Sequence, residues 1–123
     1  MTNPSQELGR WGELWATQHL QRAGYTILAR NWRAGPLELD IVARDGETLV
    51  FVEVRTRRGP LAAALDAALE SVGPRKRAHV LEAAQAYLLA HAPEGVAWRV
   101  DVVAVALQGE RWQVEVIRDA LSW

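Results

Sequence analysis

The chain has 123 residues, half of them hydrophobic and about a quarter charged, with a formal net charge of −1. That length and composition suit one soluble globular domain, taken as residues 1–123, with enough material for a core. It contains no cysteine, which excludes disulfides, zinc–thiolate sites and thiol catalysis and suits a reducing compartment. Net charge does not advertise nucleic-acid binding, but its distribution is uneven. Arg55, Arg57, Arg58, Arg75, Lys76 and Arg77 lie close together, and Lys76 is the single lysine beside thirteen arginines. The first residues, Met1 to Gln6, are polar with no apolar stretch behind them, and the longest apolar runs are too short to span a bilayer. No secretory signal and no membrane span are therefore expected, and the cytoplasm is the expected compartment.

Asn3-Pro4-Ser5 supplies helix-start chemistry, and a helix is predicted from about Ser5 to Ala23, closed by Gly24. Its apolar face is Leu8, Gly12, Trp15, Ala16, Leu20 and Ala23, with Glu13 at the edge. Three strands follow, Tyr25 to Trp32, Leu37 to Arg44 and Thr48 to Arg57, broken by Arg58-Gly59-Pro60. Leu61 to Ser71 is alanine-rich and reads as a short helix or an ordered loop. Pro74 opens a clear helix to about His91, with Val80, Leu81, Ala84, Tyr87 and Leu88 as its core stripe. Two further strands are predicted, Val96 to Leu107 and Arg111 to Ile117. The order implies an α/β domain with a mixed sheet flanked by helices, the third strand, the long helix and the fourth strand forming a crossover.

The most informative segment is Glu38-Leu39-Asp40 and Glu53-Val54-Arg55, joined through Asp45-Gly46. Asp-Gly signals a two-residue hairpin turn. With that turn, Asp40 faces Phe51 and Glu38 faces Glu53. Alternation along the strands then puts Glu38, Asp40, Glu53 and Arg55 on one face, and Leu39, Ile41, Val50, Val52 and Val54 on the other. Asp40 and Glu53 become diagonal neighbours that can hold one Mg²⁺ or Mn²⁺, which favours oxygen ligands and keeps several waters. A metal-dependent phosphodiester cleavage site follows from this arrangement. A surface cross-strand cluster with Arg55 as countercharge follows from it as readily, and spacing alone leaves both open.

Arg55 is placed either to stabilise charge on a transferring phosphate or to pair with Glu53 or Glu38; it does not deprotonate and so cannot serve as a general base. Glu13 can reach a sheet-face site from its helix, though by itself it reads as a solvated boundary residue. Arg75, Lys76 and Arg77 set cations at a helix N-terminus, against the macrodipole but beside free backbone N–H groups. With Arg57 they form a candidate phosphate contact, Lys76 lying on the core-facing line of its helix. Asp101, in the apolar run Arg99 to Val103, reads as the partner of Arg99 or of another buried arginine. The six tryptophans read as core or interface, and His19, His79 and His91 lack metal-ligand spacing.

Four stretches resemble the YraN-like family of small bacterial proteins, itself related to Holliday-junction resolvases and the restriction-endonuclease-like fold. They are Leu8 to Glu13, Gly24 to Arg33, Glu38 to Gly46 and Leu49 to Arg57, with weaker likeness through Ser71 to Lys76 and Trp98 to Val103. The resemblance implies a resolvase-like sheet and an Asp…Glu-x-Lys metal site, with Asp40 and Glu53 as metal carboxylates and Glu13 as the helix-borne acid. Arg55 stands at the position of the motif lysine, where family members carry lysine or arginine, and Leu37 stands where a glycine usually precedes Glu-x-Asp. The implied function is a Mg²⁺- or Mn²⁺-dependent endonuclease on structured DNA (branched, flapped or single-stranded). A non-catalytic nucleic-acid-binding module and a protein-interaction domain are the alternatives. The dimeric resolvases imply a homodimer.

Overall fold

A computed structural model describes residues 3–71 and 73–121. Met1, Thr2 and Val72, which belong to stretches quoted above, lie outside the described residues. Helix α1 runs Pro4–Arg22: the Asn3 side chain accepts the Ser5 N–H at 2.9 Å, Pro4 takes the first turn, and Gly24 leaves the helix with φ +96°. Strands β1 (Thr26–Ala34), β2 (Leu37–Asp45) and β3 (Thr48–Arg58) follow, then helices α2 (Leu61–Ser71) and α3 (Pro74–His91), then strands β4 (Trp98–Gln108) and β5 (Arg111–Ile117). The alanine-rich segment is therefore a helix. Its Ala64 and Ala68 pack on Val102, Ala104 and Ala106, small residues on both sides that let the helix lie close to the sheet.

The five strands form one sheet in chain order, with β3 and β4 parallel and every other pair antiparallel. This is the mixed α/β arrangement expected of a resolvase-like domain. Apolar cores lie on both faces. On one, Ala16 and Leu20 of α1 meet Ile41, Val50, Val52, Val103 and Val105. On the other, Val80, Ala83, Ala84 and Tyr87 of α3 meet Val42, Phe51 and Val100. Each large side chain fully buried there contributes about 1.5–3 kcal/mol. Leu81, assigned to the core stripe, is exposed and Ala83 takes its place, the buried stripe of the helix being Val80, Ala83, Ala84 and Tyr87. Ala23 is likewise exposed, beyond the last contact of α1 with the sheet.

The β2–β3 register differs from expectation. Asp45 pairs with Thr48, so the turn is Gly46-Glu47 rather than Asp45-Gly46, and Gly46 alone carries positive φ, +61°. Val42 thus faces Phe51 and Ile41 faces Val52, a change of two residues from the expected pairs. Asp45 is held in the ladder because its carboxylate is bonded to Arg99 (3.0 Å) and Arg118. An even-numbered change keeps the faces, so Ile41, Val50, Val52 and Val54 do share the α1 side. Leu39 does not join them: it packs with Val42 and Phe51 toward α3, because the alternation breaks at Asp40.

Asp101 is fully buried and bears out its expected pairing. It accepts Arg99 Nε at 2.9 Å, the Tyr25 hydroxyl at 3.0 Å and the Asp119 backbone N–H at 2.9 Å. Arg99 also reaches Asp45, so the cluster joins the start of β1, the β2–β3 hairpin tip, β4 and the turn after β5. Removing one partner of such a network strands a buried charge. Asp101→Ala is expected to lower unfolding free energy by about 3–5 kcal/mol. Urea denaturation measures it, and a loss under about 1 kcal/mol would mean that Arg99 re-pairs or hydrates freely.

Candidate functional site

The site begins where β2 parts from β3. Their ladder runs from Asp45–Thr48 to Ile41–Val52 and goes no further. The next residue of β2 is Asp40, and its carboxylate Oδ2 accepts the Val54 N–H at 2.9 Å. A side chain thus satisfies a donor that a longer ladder would have given to backbone. Helices on opposite faces of the sheet meet this opening, α1 with Glu13 and α3 with Lys76. Gly12 makes the first approach possible: a Cβ there would fall within 2.8 Å of Thr56 Cβ on β3, so only glycine lets α1 seat Glu13 this close.

Three acids therefore gather from three elements. Glu53 keeps only 4 % of its surface exposed, and its Oε2 lies 3.3 Å from Lys76 Nζ. Burial first, and then the Asp40 charge, push the Glu53 pKa up to about 7 against the pull of Lys76 and Arg55. Burial also raises Asp40, opposed by the Val54 N–H and by Lys76. Glu13 is raised by burial and by Asp40, with Arg30 and the Asn31 side chain pulling the other way. Its Oε1 is buried without a hydrogen bond; Arg30 stands off at 3.8 Å, an ion pair too long to be one. Buried carboxylates that raise one another lack positive charge, and an orphaned carboxylate oxygen lacks a partner.

A groove of about 510 Å³ opens beside Glu13 and Asp40, lined also by Glu38, Arg10, Arg33, Arg55 and Arg57, while Lys76 lines a separate groove at the start of α3. A wider groove of about 730 Å³ lies at the far end of α3, around Leu88, Leu89 and Trp98, and holds none of this chemistry.

Of the residues singled out in the sequence, Glu13, Asp40, Glu53, Arg55 and Lys76 interact electrostatically here, and Arg57 joins the groove rim. Glu53 and Arg55 share a face of β3 as expected, opposite Val52 and Val54. Glu38, Asp40 and Arg55 line the groove, while Glu53 reaches Lys76 of α3. Arg75 is exposed on a neighbouring groove at the start of α3 with Glu70 and His79, and Arg77 is half-buried on that helix.

Sequence reasoning did not single out Arg10, Arg30, Asn31 or Arg33. Asn31 left a signal: asparagine is depleted in strands, and here it holds φ +52° beside Glu13.

The donor set suits a hard divalent cation. Asp40 uses one oxygen on Val54 and Glu53 one on Lys76, which leaves each a second. Among the described residues, no three carboxylates or imidazoles converge as a ready metal cluster. Mg²⁺ does not require one, since it binds through one or two carboxylates, waters and substrate phosphate.

A model of the uncharacterised protein family UPF0102 matches residues 12–105. Relatives carrying that family name include a protein of Roseiflexus castenholzii, 49 % identical over 110 residues covering 87 % of this chain and 85 % of its own. One of Acidothermus cellulolyticus is 52 % identical, covering 81 % of each chain. One of Stutzerimonas stutzeri is 44 % identical over 123 residues, covering 96 % of this chain and 97 % of its own.

Two outcomes follow from the geometry. Gly12→Ala should cost about 1–3 kcal/mol of stability by forcing α1 off β3, measured by thermal unfolding; a neutral effect would mean that α1 and β3 shift apart without loss of packing. The second concerns pH. Folded protein at about pH 6 holds a proton on Glu53 that an unfolded chain, with its glutamate near the ordinary 4.5, has already released. Stability linked to Glu53 is complete below about 4.5 and is lost as pH rises through about 7. Wild type should therefore lose about 1–3 kcal/mol more than Glu53→Gln between about pH 4.5 and pH 8. Equal losses in urea titrations would remove the raised carboxyl from the account.

Proposed function

We infer, for a chain that belongs to the uncharacterised protein family UPF0102, that it is a Mg²⁺- or Mn²⁺-dependent endonuclease acting on structured DNA. The observation that carries this reading is Asp40 set between Glu13 and Glu53, each raised by burial and by Asp40, beside a groove lined by arginines. Carboxylates at the floor and guanidinium groups at the rim are the charges that a cation and a phosphodiester require. Asp40 and Glu53 would hold the cation, with Glu13 in support. When bound, it supplies a polarised phosphate oxygen and a water acidic enough to attack at neutral pH.

The chain's own groups have distinct parts in this reading. The Val54 N–H fixes the Asp40 carboxylate so that its second oxygen points consistently. Arg55 neutralises charge on the scissile phosphate and takes no proton, being a permanent cation. Arg10, Arg33 and Arg57 track the backbone of the bound strand along the groove. With Glu53 engaged on the cation, proton transfer would fall to water.

One observation favours a second reading, a nucleic-acid-binding module that keeps the fold without the chemistry. Arg55 occupies the position of the motif lysine, and Lys76 already engages Glu53. The two readings part in one experiment. Purified protein should cleave branched, flapped or single-stranded DNA only with Mg²⁺ or Mn²⁺, and Asp40→Ala should lower the rate at least ~100-fold while DNA affinity persists. Salt-dependent DNA binding without metal-dependent cleavage in any substrate would select the binding module. No affinity for DNA at low salt would overturn both.

A further inference from the structure

Lys76 is the one lysine in a chain that otherwise uses arginine for every basic side chain outside histidine. Helix stability does not explain its position. It stands in the first turn of α3, where a cation opposes the macrodipole, and Gly73 provides no side-chain cap. Its side chain is 32 % exposed while that of Glu53 is 6 % exposed, and the two meet at 3.3 Å. The ammonium therefore enters the opening from solvent to reach a carboxylate that cannot leave. It also acts on Asp40; Arg55 acts on both acids as well, but Lys76 is the cation that contacts Glu53, and it comes from α3. Lysine suits this position better than arginine: its charge is compact, its stem is flexible, and it can withdraw into water without breaking a planar bidentate pair.

We propose that Lys76 is the site's place-holding cation: it neutralises Glu53 and Asp40 in the metal-free protein, and an entering divalent ion displaces it toward the phosphate of the bound strand. This rests on the metal-site reading above and adds a regulation to it. Before metal arrives, Lys76 offsets part of the desolvation of these buried carboxylates. The metal then replaces a monovalent partner by a divalent one and frees an ammonium beside the substrate. The strand, with Arg55 in place of lysine, would receive its mobile lysine from α3 instead.

A single lysine makes the test direct. Protein grown on ¹³C-lysine gives one lysine side-chain signal, whose Cε–Hε resonance reports Lys76 alone. Titration with Mg²⁺ should move that resonance to saturation in wild type and leave it in place in Asp40→Ala. By calorimetry, Lys76→Gln should bind Mg²⁺ about tenfold more tightly than wild type, because a competing positive charge is gone. The proposal is overturned, with the metal site intact, if wild type binds Mg²⁺ through Asp40 while the lysine resonance stays still. An unchanged or weaker affinity in folded Lys76→Gln overturns it as well. Failure of both wild type and Lys76→Gln to bind Mg²⁺ would remove the metal site and the place-holder together.

Discussion

One hydrogen bond organises the candidate site: the Asp40 carboxylate accepting the Val54 N–H. Antiparallel pairing of β2 and β3 stops at Ile41 and Val52, and a buried amide left without an acceptor would be costly. Asp40 answers that need with a side chain, which brings a carboxylate into the gap between two strands. The gap in turn makes both sides of the sheet accessible at one point. A continuous ladder would have kept Glu13 on one face and Lys76 on the other, insulated by β-sheet.

Placing charge in that gap has an electrostatic consequence. Glu13, Asp40 and Glu53 each lose hydration, and Asp40 raises its two neighbours. Lys76, Arg30 and Arg55 offset part of this, yet all three acids remain raised. Such a cluster is unfavourable for stability taken alone, since apolar residues of equal size would pack without the desolvation cost. Its retention is what a site awaiting a cation or a proton would require, and that is the physical ground of the proposed chemistry.

The opposite end of the sheet supplies rigidity. Buried Asp101 and Tyr25, with half-buried Arg99 and Asp45, form a network that ties the hairpin tip to β1 and β4. Asp45 in that network sets the hairpin register, and the register decides which residue of β2 first leaves the ladder. The place where the strands part is thus specified at the far end of the hairpin, through backbone pairing. Gly12 complements this from α1, since its missing side chain sets how closely Glu13 approaches.

Much of this was legible in the sequence. Periodicity and caps located every strand and both long helices, because those signals are local: 3.6-residue spacing in α1 and α3, apolar strand runs, and Gly or Pro at the breaks. The candidate acids were also visible, since charge inside an apolar run is conspicuous on its own. Tertiary structure decided the rest. The hairpin register depended on Asp45 being held by Arg99 and Arg118, more than fifty residues away, which no local turn rule contains. Assembly of Glu13 and Lys76 around Asp40 depended on two helices crossing opposite faces of a parted sheet. Asn31 and Gly12 gained their meaning only from what lies against them, because side-chain spacing along a chain fixes faces and periods, whereas distance between elements is set by packing.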